Sequence, residues 1–250
     1  MQYQDKIKQL VELTRQAGKV LALTGAGVST ESGIPDFRSR NTGLWNQFDP
    51  AEVASIQALK RNPESFYRFN LQWWKGCLGA KPNAAHDALA ELERTGWLLG
   101  VITQNIDGLH QAAGSTRVWE VHGNLRICFC LSCSKDYDID TLYQEIYCKH
   151  CGGLLRPHVV LFGDPMPQAY YSAEKILSGC QLLLVVGSSL QVQPVASLPD
   201  LSRQVVIINK EPTPWDEAAA LVFTEPASRV LGDLVNDLKG QPGPYRQGND

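Results

Sequence analysis

At 250 residues, 44% hydrophobic and 20% charged, the chain has the length and composition of one α/β domain carrying a small insertion. Its net charge of −3 builds no basic field for sequence-independent nucleic-acid binding, and its longest aliphatic run, Leu182 to Val186, is far too short to span a bilayer. The N-terminal MQYQDKIKQL lacks an apolar h-region, so the sequence predicts a cytoplasmic protein whose seven cysteines point to metal rather than to disulfides.

Asp5 to Ala17 places Ile7, Leu10, Val11 and Leu13 in a helical pattern that Gly18 stops. Val20 to Leu23 is an apolar run ending at Thr24-Gly25-Ala26-Gly27, as a buried parallel strand entering a tight turn does. Glycines at such a turn let backbone N–H groups approach an anion, and a helix starting near Ala26 would add the attraction of its N-terminus. Thr30 stands where the dinucleotide fingerprint asks for a third small residue, so the match is partial. A glycine turn joining a core strand to a helix in any α/β protein reads the same way. The next stretch, Ser32 to Ser39 (SGIPDFRS), suits a loop closing over a ligand, with Phe37 able to cover a ring or sugar face and Arg38 able to hold a phosphate. A solvated loop with Phe37 tucked into the core is the plainer alternative.

Short helices are expected after Pro50 and from near Pro63, with Phe66, Tyr67, Phe69, Trp73 and Trp74 mainly as core rings. Asn83 caps a helix running to about Thr95, and Gly96 ends it. Trp97 to Thr103 reads as a strand with Gln104-Asn105-Ile106-Asp107 at its carboxyl end, and Val118 to Val121 as another, ending at His122-Gly123. A helix is placed between them, over Gly108 to Ala113. Residues 125–157 break the βα rhythm, and the apolar stretch Val159 to Phe162 then runs into Gly163-Asp164-Pro165. A helix over Gln168 to Ser178 leads to a strand over Leu182 to Val186, ending in Gly187-Ser188-Ser189. Val205 to Ile208 is the next strand, ending at Asn209, Ser228 to Leu238 closes as a helix, and 241–250 forms a loose tail. Strands that repeatedly end in polar or glycine turns predict an α/β fold, a doubly wound Rossmann-like parallel sheet whose carboxyl edge is the active-site rim.

Cys130-Leu-Ser-Cys133 and Cys148-Lys-His-Cys151 are two CxxC knuckles with fourteen residues between them. Four thiolates at this spacing close a tetrahedral zinc site with no position left for water, which makes the metal structural. Cys128 and His150 lie close enough in sequence to leave a ligand swap open. The mixed charges around the knuckles give no basic face.

GAGVSTESGIPDFRS (25–39), TQNID (103–107), HG (122–123), the paired knuckles, FGD (162–164), GSSL (187–190) and Asn209 come in an order that resembles the sirtuins, NAD-dependent protein deacylases, of the bacterial and archaeal type. The resemblance covers roughly residues 5–240. It implies one catalytic domain over 1–240, with a helical and cofactor-loop insertion at about 31–80 and a zinc ribbon at 125–157. It implies NAD as co-substrate, held by Gly25, Ala26, Gly27, Ser29, Thr30, Asp36, Phe37, Arg38, Gln104, Asn105, Ile106, Asp107, His122, Gly187, Ser188, Ser189, Asn209 and the backbone near Ala227. His122 would be the general base, working with Asn105 and Asp107, and imidazole suits that task because it ordinarily titrates near neutrality. Val159, Val160, Phe162 and Gly163 would meet the acyl-peptide by strand addition.

The reaction so implied moves no hydride. Nicotinamide leaves the ribose as the acyl-lysine carbonyl oxygen attacks, and the acyl group ends on ADP-ribose. The partners implied are acylated lysines of proteins or peptides, with no membrane or nucleic acid. Asp164 and Ser188 stand where the family commonly has glutamate and threonine, which implies altered tuning. Desuccinylating relatives use a tyrosine and an arginine where approximate alignment puts Asn70 and Trp73, so neutral acyl groups, acetyl first, are expected. ADP-ribosyl transfer or NAD hydrolysis, and a non-enzymatic NAD-sensing module, are the rival readings. A dehydrogenase is disfavoured because no clear acidic residue follows the glycines at about 20 positions.

Overall fold

The computed structural model describes residues 1–36, 43 and 48–245. Helix α1 (Tyr3–Gln16) buries Ile7, Leu10 and Val11 and leads into β1 (Val20–Thr24), which is buried throughout. After β1 the helix expected from near Ala26 forms as a 3-10 helix, Ala26–Ser32. Helices α2 (Pro50–Val53), α3 (Ile56–Arg61) and α4 (Pro63–Gly79) start on Asp49, Ser55 and Asn62, whose side chains each accept a backbone N–H of the first turn. Helix α5 (Ala84–Arg94) starts on Asn83 and is followed by β2 (Val101–Thr103), α6 (Leu109–Ala112) and β3 (Val118–Glu120). Strands β4 (Gly123–Cys130), β5 (Asp136–Asp138) and β6 (Leu155–Val159) make up the inserted segment. Then come α7 (Gln168–Leu177), β7 (Leu182–Val186), β8 (Val205–Ile208), β9 (Leu221–Phe223) and α8 (Ala227–Leu238).

Among the described residues, six strands form one parallel sheet in the order β3-β2-β1-β7-β8-β9. The continuous apolar runs of its central strands follow from burial on both faces. In β1, Val20 and Ala22 pack into the core shared with α1, α5 and α8, while Leu21 and Leu23 pack into the core beneath α7. From β1 the chain winds first toward β2 and later toward β7, so the switch point of the sheet lies between β1 and β7, where open α/β sheets bind ligands. A third core joins α3 and α4 to the antiparallel sheet β5-β4-β6 and fixes the insertion beside that edge.

The expected strand over Trp97 to Thr103 forms only from Val101. Trp97 and Leu98 both donate their N–H groups to the Leu92 carbonyl, at 2.8 and 3.0 Å, and so cap α5. The tail expected over 241–250 departs from a loose chain through residue 245: Gly243 N bonds Thr95 O at 3.0 Å, and Gln241 O accepts from Trp97 Nε1 at 3.0 Å. Residues 246–250 lie outside the described residues.

The turns after β1 and β7 touch backbone to backbone. Gly27 N donates to Gly187 O at 2.8 Å, a Cβ on Gly27 would lie 2.8 Å from Gly187 Cα, and one on Gly187, whose φ is +62°, would collide with the Val28 nitrogen. Gly179 has φ +78° but open space where a methyl group would sit, with nothing within 4 Å, so it separates torsional strain from crowding. Gly179→Ala is expected to lower the unfolding free energy by about 1 kcal/mol, and Gly187→Ala by at least about 3 kcal/mol, in urea titrations.

Candidate active site

A cleft of about 530 Å³ opens along the carboxyl ends of β1, β2, β7 and β8. Gly25, Ala26, Gly27, Ser29, Asp36, Gln104, Asn105, Ile106, Asp107, His122, Gly187, Ser188, Ser189, Asn209 and Ala227 all line it, as do Val159, Val160, Phe162 and Gly163. Thr30 does not: its hydroxyl turns back to the Gly27 carbonyl at 3.0 Å and braces the 3-10 helix. Phe37 and Arg38 lie outside the described residues.

The loop after β3 sets the His122 ring. Gly123 has φ +77°, and any side chain there would overlap the His158 carbonyl, so glycine is needed for the chain to turn from β3 into β4. His122 Nδ1 lies 3.1 Å from the Gln104 carbonyl oxygen, which can only accept. Nδ1 therefore carries the proton, and Nε2 is the basic nitrogen of the neutral ring. Gln104 is itself tied across the sheet, its Nε2 donating to Ser188 Oγ at 2.8 Å.

Asp107 is held by a chain of buried groups. Ser29 Oγ donates to Asp107 Oδ2 at 2.7 Å and accepts from Asn105 Nδ2 at 3.0 Å. His86, fully buried, lies behind Ser29 with Nε2 3.4 Å from its hydroxyl. Because the Asn83 N–H donates to His86 Nδ1 at 3.2 Å, the proton of a neutral His86 sits on Nε2, facing Ser29. The His86 ring stands 4.9 Å from that of buried His110, whose Nε2 is 2.9 Å from Thr24 Oγ1. Burial lowers the pKa of His86 from its ordinary value and takes that of His110 down to about 3.

Sequence reasoning missed His86 and His110. His86 was legible only as the third residue of the Asn83-capped helix, where its ring completes a reciprocal cap. Asn70 and Trp73, which the resemblance sets at the acyl position, do line the cleft; Cys77 of α4 was missed, because alternation with core rings gives no sign of which face meets the cleft.

The sulfur atoms of Cys130, Cys133, Cys148 and Cys151 all lie within 4.8 Å of one another. Cys130 to Cys151 is 3.4 Å and Cys133 to Cys148 is 3.8 Å. Four sulfurs about 2.3 Å from one tetrahedral ion sit about 3.8 Å apart, whereas a disulfide needs about 2.05 Å, so the donor set fits zinc. Cys128 Sγ instead faces the Asp138 carbonyl at 3.5 Å, and His150 is not in the cluster. The cluster ties the C-terminal end of β4 and the turn after it to the 148–151 turn, away from the cleft lining.

Two outcomes follow from these geometries. Atomic emission should find one zinc per chain, and Cys148→Ser should lose most of it together with at least about 5 °C of melting temperature. Below about pH 6.5 the unfolded chain protonates both buried imidazoles while the folded chain resists. Stability is therefore expected to fall as pH drops from 7 toward 4, and His110→Gln should flatten that slope in urea titrations at successive pH values.

The Sir2 family model matches residues 25–194. The chain is 47% identical to NAD-dependent protein deacetylase 2 of Caldanaerobacter subterraneus subsp. tengcongensis, over 96% of this chain and 98% of that protein. It is 42% identical to NAD-dependent protein deacylase 2 of Archaeoglobus fulgidus, over 94% of this chain and 97% of that one. Among solved structures, a Sir2 complex with p53 peptide and NAD+ superposes with a TM-score of 0.85 at 37% identity, covering 92% of this chain and 98% of that one. A Sir2 variant with deacetylated p53 peptide and 3′-O-acetyl-ADP-ribose reaches 0.88 at 37% identity, with the same coverage. With a matching model over most of its length, these relatives and the cleft at the switch point of its sheet, the chain belongs to the Sir2 family.

Proposed function

We propose that this protein is an NAD-dependent protein-lysine deacylase, acting first on acetyl-lysine and passing the acyl group to ADP-ribose with release of nicotinamide. The observation that carries the reading is His122: its Nδ1–H is engaged by the Gln104 carbonyl, so Nε2 is the basic nitrogen of a ring in the cleft wall. The relatives named as deacetylases, and the Sir2 structures holding NAD+, peptide and acetyl-ADP-ribose, support it.

NAD lies across the switch point, with its pyrophosphate over the turn from Gly25 to Ser29 and its adenosine toward Ser189, Asn209 and the start of α8 at Ala227. Asp36, Gln104 and Ile106 complete the cofactor wall, and Asn105 and Asp107 face the nicotinamide and its ribose. The Ser29 bond keeps Asp107 in one orientation without water reorganisation. The extended acyl-peptide runs along Val159 to Gly163. Attack of the acyl oxygen on ribose C1′ expels nicotinamide, and His122 Nε2 then takes the proton of a ribose hydroxyl as that oxygen attacks the former acyl carbon; the lysine amine leaves with a proton, and water adds to the acyl carbon to give O-acyl-ADP-ribose with the former acyl oxygen on C1′. Cys130, Cys133, Cys148 and Cys151 hold zinc structurally, and no step passes through it.

Preference for neutral acyl groups follows from α4. Asn70 spends its side-chain N–H groups on Val53 O at 2.8 Å and Phe66 O at 2.9 Å. Its neighbours in the cleft wall from that helix are Phe69, Trp73, Trp74 and Cys77, so α4 offers an acidic acyl group no cation.

Purified protein should release nicotinamide from NAD only when an acetylated peptide is present. Succinylated peptide is expected to react at least about tenfold more slowly, measured as kcat/KM. His122→Ala should lower kcat by at least about 100-fold while changing NAD affinity little. Peptide-independent release, or full activity of the alanine variant, would contradict the reading.

A further inference from the structure

Arg156 on β6 and Asp164, in the cleft wall, form a fork-on-fork ion pair beneath the segment joining them. Nη1 donates to Oδ1 at 3.0 Å and Nη2 to Oδ2 at 2.7 Å, with only 9% and 13% of the two side chains exposed. Removing two charges from water is costly unless their remaining bonding positions are filled. Here the backbone of the enclosed segment fills them. Arg156 Nη2 also donates to the Val159 carbonyl at 2.7 Å, and the Leu161 N–H donates to Asp164 Oδ2 at 2.8 Å. The Phe129 ring of β4 lies 5.6 Å from the guanidinium and supports it from the cysteine-bearing sheet.

Val159 and Leu161 are alternate residues, so their backbone groups face the same edge of an extended chain. The ion pair thus occupies one edge of this segment much as a neighbouring strand would. The opposite edge is held by main chain: Val160 N donates to His122 O and Phe162 N to Ala54 O, each at 2.9 Å. The segment is therefore clamped from both sides, and one of its backbone bonds ends on the residue that carries the basic imidazole.

We infer that Arg156 and Asp164 are a positioning pair, which sets the register of the acyl-peptide-facing segment against His122. The inference rests on the reading of Val159 to Gly163 as the segment that faces the acyl-peptide across the cleft; with both of its edges engaged, it meets the peptide through its cleft-lining surface and not as an open edge for strand addition. Neither residue touches the glycine turns in its hydrogen bonds, so the pair acts on peptide binding and leaves NAD binding alone.

The test separates positioning from stability. Arg156→Lys keeps the charge but loses the fork. The double variant Arg156→Met/Asp164→Leu replaces the pair with apolar groups, which commonly preserves stability but cannot bond Val159 O or Leu161 N. KM for acetyl-peptide and for NAD are measured separately, with melting temperature alongside. Both variants are expected to raise peptide KM by roughly tenfold and to leave NAD KM within about twofold.

Unchanged peptide KM in a folded variant would overturn the inference, as would peptide and NAD KM rising together with the loss of melting temperature. If the double variant does not fold, Arg156→Lys decides. Fluorescence anisotropy of a labelled acetyl-peptide gives the same comparison without turnover. Wild-type protein that binds the peptide but releases no nicotinamide would refute the deacylase reading and still show whether the pair sets peptide affinity. Protein that neither binds nor reacts would refute both.

Discussion

The contact between the turns after β1 and β7 is the constraint on which the rest of the site depends. Gly27 lies against Gly187 with its N–H on the Gly187 carbonyl, and Gly25 N bonds Val186 O at 3.1 Å. No side chain larger than hydrogen fits at either face of that contact. The close approach draws together the carboxyl ends of strands on both sides of the switch point, so that Gly25, Gln104, Ser188 and Asn209 come to line one cleft. A dinucleotide needs an edge of this kind, where backbone amides and small polar side chains face it and bulky groups stand back.

On that edge, orientation is achieved mainly by buried groups that never reach solvent. His86 and His110 are kept neutral by burial, and the Asn83 cap assigns the His86 proton to the nitrogen facing Ser29. Ser29 accepts from two sides and has one proton to give, which goes to Asp107. His122 is set from a different direction, by the Gln104 carbonyl and the forced turn at Gly123. Two functional side chains at the cleft are thus preorganised through adjacent residues of one loop, Asn105 on the Asp107 side and Gln104 on the His122 side.

Much of this was legible in the sequence because it rests on local rules. Val20 to Thr24 and Leu182 to Val186 read as strands since burial on both faces leaves unbroken apolar runs, and the residues following them were placed at the rim by the same logic. The paired knuckles carried their own geometry. Strand β4 was not legible: in NLRICFC the inward positions are interrupted by a register shift between Gly123 and Cys128, which destroys the alternation that marks a half-buried strand. Strand β9 is three residues long and gives no period to read. The helix expected near Ala26 takes the tighter 3-10 form over Ala26–Ser32, and with it Thr30 turns to its own backbone. The α4 wall and the buried histidines depend on packing between distant segments, which no local pattern encodes.

The central claim is that the acyl group and the ribose meet in this one cleft and react with each other. A single turnover with NAD and a peptide whose acetyl-lysine carbonyl carries oxygen-18 tests it most directly. One nicotinamide, one free lysine and one O-acetyl-ADP-ribose are expected per event, with the label on the ribose carbon that lost nicotinamide. Free labelled acetate without acetyl-ADP-ribose, or label retained only in the acetyl group, would contradict it.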